Sequence, residues 1–110
     1  MNRVGDLIVK YQLVLQWPAT SVRDYDEMIE IEEALEKAIG EFAAVDGHDA
    51  GSGEVNIFLL TDDPKRAFFE IKRVFGSKDF MVGLRAAFRE CTQDDYEIIW
   101  PPDLISFSVK

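Results

Sequence analysis

A chain of 110 residues, 47% hydrophobic with eight Phe and two Trp, has apolar material for one core and too little length for two ordinary domains. Its net charge of −9, from 12 Lys and Arg against 21 Asp and Glu, argues against binding a nucleic-acid backbone or an anionic membrane surface. Cys91 is the single cysteine, which excludes an internal disulfide, and the apolar runs fall far short of the ~18 residues of a membrane span.

The first strongly patterned stretch is 7–17, LIVKYQLVLQW. Leu7, Val9, Tyr11, Leu13, Leu15 and Trp17 alternate with Lys10, Gln12 and Gln16, the period of a half-buried strand that Pro18 ends. Polar interruptions at Asp6, Lys10, Gln12 and Gln16 argue against a signal peptide, and a cytoplasmic location is expected. Ser21, three residues before Asp24, resembles a capping box and opens a helix expected from about Val22 to about Glu41. Met28, Ile31, Leu35, Ala38, Ile39 and Phe42 form its apolar stripe, and Asp26, Glu30, Glu33 and Glu36 its opposite face.

Residues 43–50 read as a weak strand, Gly51-Ser52-Gly53 as a turn, and 54–61 as a strand apolar on both faces, so the two strands form a hairpin. Asp63 and Pro64 are the cap and first turn of a second helix, with Ala67, Phe68, Ile71, Val74 and Phe75 buried and Gly76 at its end. Leu84, Ala86 and Phe88 alternate with Arg85, Ala87 and Arg89 in a further strand. Tyr96–Trp100 is a short strand broken by Pro101-Pro102. In the tail after it, Ile105, Phe107 and Val109 share one side, giving a fifth strand on the sheet edge or an arm that packs on a second copy.

Strand, helix, strand, strand, helix, strand is the order of the ferredoxin-like β-α-β-β-α-β sandwich. One α+β domain is therefore expected over 1–110, with two helices on one face of an antiparallel sheet, strands one and three central, and 95–110 as an extension. RNA binding of the kind such sheets support is not indicated, because strand three lacks a basic residue and the aromatic-rich pattern.

The densest polar cluster is Asp46-Gly47-His48-Asp49-Ala50-Gly51-Ser52-Gly53-Glu54, with the only histidine and three acids. Asp46, His48, Asp49, Glu54 and Asn56 are candidate ligand, metal or catalytic residues if the hairpin brings them together, since imidazole and carboxylate are the usual acid–base and metal-binding groups. Turn chemistry accounts for the same residues, because glycines supply positive φ and Asp bonds nearby amides. One His is thin for zinc, and the spacing does not fit a calcium loop, so no metal or cofactor is assigned. Cys91 reads as a small buried residue. Among aromatics, Phe69 falls off the stripe of the second helix, and Trp17 and Trp100 each precede a proline at a strand end, where Trp is a favoured interface anchor; of these, Phe69 and Trp100 are the candidates for a partner-binding surface.

The stretch Val45–Phe58 together with Thr61-Asp62-Asp63-Pro64 resembles small bacterial proteins of unassigned function that carry a DGHD-x-GSGE-x-NIF-xx-TDDP run. The resemblance implies a bacterial origin and transfers no catalytic residue.

Two functions fit these features. The first is a non-enzymatic module that binds a protein, a basic one by charge, on the acidic face of helix 1 at Asp26, Glu30, Glu33 and Glu36. The second is a small-ligand or metal-binding domain, or an enzyme, built on the 46–56 cluster. A homodimer is compatible with either, through the weak second strand or the tail. The acid is unevenly placed. Residues 1–63 hold 14 acids and 4 bases, whereas 64–110 hold 7 acids and 8 bases. Helix 2 carries Lys65, Arg66, Lys72 and Arg73 against Glu70 alone, so part of the opposition is expected to lie in the seam between the helices.

Overall fold

The computed structural model describes residues 10–19, 25–39, 43–51, 53–76 and 79–109. Its elements are β1 (Tyr11–Pro18), α1 (Tyr25–Ile39), β2 (Ala44–Gly51), β3 (Glu54–Thr61), α2 (Pro64–Phe75), a 3-10 turn (Asp79–Met81), β4 (Arg85–Glu90) and β5 (Glu97–Trp100). The strands form one sheet in the order β2-β3-β1-β4-β5, every neighbouring pair antiparallel. The fold is α+β with two helices against one face, as the element order predicts. The short strand expected at Tyr96–Trp100 is β5, on the edge beyond β4, and it leaves β1 in the middle of five strands.

Alternation decides what each strand buries. Leu13, Leu15 and Trp17 of β1, Val55, Ile57 and Leu59 of β3, and Ala86 and Phe88 of β4 enter one core. The expected stripes of both helices close it: Met28, Ile31, Leu35 and Ile39 from α1, and Ala67, Phe68, Ile71 and Phe75 from α2. Trp17 is among the largest buried side chains, 1% exposed, and its Nε1 donates to Phe80 O at 2.8 Å. It is therefore a core residue and no part of an interface. The expected strand start at Leu7 and Val9, the Ser21–Asp24 helix start, Phe42 and Ser52 lie outside the described residues.

The local signals of α2 work as their chemistry demands. Asp63 Oδ1 accepts from Arg66 N at 3.1 Å, satisfying one of the orphan amides of the first turn, where Pro64 needs no donor. Replacing Asp63 by Ala is expected to destabilise the domain by about 1 kcal/mol, read as a lower urea midpoint at unchanged m. Gly76 continues the right-handed backbone at φ −59°, so it ends the helix without a left-handed cap.

The second sheet face is also covered. Val14, Gln16, Asn56 and Ala87 point away from the helices, and all four are buried. The C-terminal segment lies over them: Ser108 O accepts from Gln16 Nε2 at 2.9 Å, and the Phe107 ring meets Tyr96 edge-on at 5.1 Å. Residues 104–109 form no strand, which corrects the tail alternation: Phe107 and Val109 are half-buried while Ile105 is 94% exposed.

Candidate functional site

The β2–β3 hairpin takes its geometry from a short turn at Gly53, whose φ of +80° is the conformation glycine tolerates. Its register pairs Gly51 with Glu54, Asp49 with Asn56 and His48 with Ile57. Since Ile57 lies in the helix-side core, His48 leaves the strand towards α1, and its Nδ1 sits 3.0 Å from Glu32 Oε2. Glu54 and Asn56 leave on the opposite face. Asp49, opposite Asn56, shares that face and is exposed; Asp46 is the extra residue where the register shifts between Val45 and Gly47. The hairpin thus divides the five candidates: His48 pairs with an acid of α1, and Glu54 and Asn56 turn to Gln16. Among the described residues, no group of three or more His, Cys, Asp or Glu is placed to share a metal ion.

What the hairpin does assemble is a polar knot around Gln16, which reading the sequence missed. Gln16 Nε2 faces three oxygens, Ser108 O at 2.9 Å, Asn56 Oδ1 at 3.0 Å and Glu54 Oε1 at 3.3 Å. Its two hydrogens serve three acceptors, while its own Oε1 is buried without a partner among the described residues. The sequence signal was a glutamine at a position whose strand neighbours on both sides are apolar.

A cleft of about 680 Å³ opens where β1 begins and β3 and β4 end. Tyr11 and Phe88, edge-on at 5.6 Å, line it together with Asp62, Asp63, Asp95 and Glu97. Its cations are engaged. Lys65 Nζ lies 3.6 Å from Glu97 Oε2, and Arg89 Nη1 donates to the carbonyls of Glu90, Cys91 and Gln93. Cys91, expected to be buried, is exposed in the turn that Arg89 braces.

The outer face of the helix layer carries the strongest charge. Asp26, Glu30, Glu33 and Glu36 are exposed on α1, and among the described residues none of their carboxylates has a hydrogen bond or ion pair. Among the described contacts, the bases of α2 turn to their own element and to β5 rather than to α1. Arg73 Nη2 reaches Glu70 Oε1 at 2.8 Å and Arg66 Nε reaches Glu70 Oε2 at 3.3 Å. Lys72 Nζ stands 4.7 Å from the centre of the Trp100 ring. Trp100 is half-buried against Phe68 beneath that lysine, so of the two aromatic candidates only Phe69, 57% exposed, stands free at the surface.

The Arg73 hydrogen bond, with Arg66 adding to it, holds the Glu70 carboxyl below the usual carboxylate range, against a smaller opposing effect of burial. A lowered folded-state value stabilises the fold above the unfolded value near 4.3 and loses that contribution as pH falls through the folded one. Glu70→Gln is therefore expected to be less stable than wild type at pH 7, with the gap closing in urea titrations carried out progressively below about pH 4.3.

Comparison with protein-family models, curated proteins and solved structures gives no match. Among the described residues, no helix is long and apolar enough to cross a membrane.

Proposed function

We propose that the chain is a non-enzymatic protein-binding module that docks a basic partner on the outer face of α1. The observation that carries this reading is the row Asp26, Glu30, Glu33 and Glu36, exposed and without an ion pair among the described residues, on a helix whose other side is anchored in the core and whose one base is Lys37. Carboxylates held on a rigid element at helical spacing present a fixed negative surface, which steers encounter with a basic surface and repels acidic competitors. The scaffold is read as a ferredoxin-like sandwich enlarged by β5, a reading supported by the neighbouring order of β1 to β4 and by the two helices each joining strands of the sheet.

The test is affinity capture from a bacterial lysate at low and at high salt, comparing wild type with Glu30→Lys/Glu33→Lys. Retention of basic proteins by wild type at low salt, lost in the variant and in high salt, is expected. Equal retention by wild type and variant would remove α1 from the account.

A further inference from the structure

We infer that the helix layer docks a second copy of this chain, with α1 of each copy lying over α2 of the other. The inference rests on the reading of α1 as a docking face and names its partner.

Three other routes to self-association are each obstructed. The sheet face opposite the helices is occupied by the chain's own C-terminal segment through Ser108 and Gln16. The β2 edge is interrupted by the bulge at Asp46 and carries Asp49, devices that discourage strand addition. The β5 edge is four residues long and stops at Pro101. The helix layer remains, and its two halves differ in sign. α1 holds six acids between Asp26 and Glu36 against one base, Lys37, in its last turn. On α2, Lys65 and Lys72 flank the exposed Phe69 at i−4 and i+3, on the same surface as it, while their head groups also reach Glu97 and the Trp100 ring of β5. Glu70 is already shared between two arginines, so the layer keeps an excess of positive charge there.

Symmetry selects how two such layers meet. A two-fold axis across the helices would stack α1 on α1, acid on acid. An axis along the seam, parallel to the helices, places each acidic α1 over a basic α2, satisfies both contacts at once and closes the assembly at two. The groove on that seam, lined by Glu30, Glu33, Ala34 and Lys37 of α1 with Val74 and Phe80, is where the copies would come closest. Two helices of about 20 Å length packed ~10 Å apart offer roughly 400 Å² per copy, about 800 Å² in all, less than the ~1,000 Å² that a stable interface needs and the scale of a transient one. The dimer is therefore weak and salt-sensitive.

Sedimentation equilibrium of the full chain at 50 mM and 500 mM NaCl tests it, with circular dichroism to confirm that each variant folds. Wild type is expected to dimerise at low salt, with the dissociation constant rising roughly tenfold or more at high salt. Glu30→Lys/Glu33→Lys and Lys65→Glu/Lys72→Glu are each expected to be monomeric alone. Mixed, they should form a heterodimer, because one α1/α2 contact then keeps the wild-type signs and the other has both signs exchanged; a variant that had merely lost structure would gain nothing on mixing. Wild type monomeric at low salt, or both variants dimeric with no gain on mixing, overturns the proposal. If wild type is monomeric yet lysate capture still depends on Glu30 and Glu33, the dimer falls and the reading of α1 stands. If both measurements are negative, both fall.

Discussion

Trp17→Ala is expected to lower stability by about 3–5 kcal/mol, enough to unfold a large share of a domain of ordinary marginal stability. Trp17 ends the buried row of β1 and is 1% exposed. Its ring centre lies 6.4 Å from that of Phe75, which in turn meets Phe80 edge-on at 5.1 Å. One side chain therefore joins the middle strand, α2 and the turn that follows it. Truncation would open a cavity bounded by three elements that cannot collapse together, and would orphan Phe80 O. Trp17→Phe separates the two effects. It keeps most of the apolar volume and loses only the Nε1 bond, so a cost of about 1–2 kcal/mol is expected. Urea denaturation followed by far-ultraviolet circular dichroism measures both, with Trp100 left as the fluorescent probe. If Trp17→Phe matches wild type, the bond to Phe80 contributes nothing and packing alone explains the site.

The same residue shows where reading the sequence stops. The period of two along Leu13, Leu15 and Trp17 and the helical spacing of Ile31, Leu35, Ala67 and Ile71 are local properties, and the core contains all seven. Trp17 next to a proline nevertheless looked like an interface anchor, because a strand's end is visible in sequence while the element that folds over it is not. Cys91 misled in the opposite sense: small and apolar by composition, it sits in an exposed turn between strands.

The hairpin failed for a different reason. Asp46 to Glu54 is rich in the right groups, but convergence depends on register, and a one-residue change of register moves a side chain to the other face. Pairing Gly51 with Glu54 sets His48 against Ile57, so imidazole and carboxylate part. Neither the bulge at Asp46 nor the turn length is written in a hydrophobic pattern. The acidic face of α1 was legible because it depends on a single helix's periodicity. The seam of opposite charges was not, since Glu70 and Trp100 compete for the bases of α2 through contacts that only the folded chain brings within reach.

Gln16→Leu should cost about 1–3 kcal/mol despite adding apolar surface to the interior. Among the described residues the glutamine is the only donor to Asn56 Oδ1, and it also serves Ser108 O and Glu54 Oε1. Its removal leaves Asn56, itself 1% exposed, with an acceptor that water reaches poorly. A buried group left unpaired costs far more than the net worth of the bond it lost, so the partner carries the penalty. The double variant Gln16→Leu/Asn56→Leu removes both ends, and with them the unpartnered Gln16 Oε1. It is expected to be more stable than Gln16→Leu alone, the signature of a coupled pair in a double-mutant cycle. Simple addition of the two single costs would instead mean that the knot is not a unit. Both variants lose the bond to Ser108, so hydrogen exchange at 104–109 should quicken in each, whatever happens to global stability. A tail that exchanges at the wild-type rate in both would show that Phe107 on Tyr96, and not Gln16, holds it on the sheet.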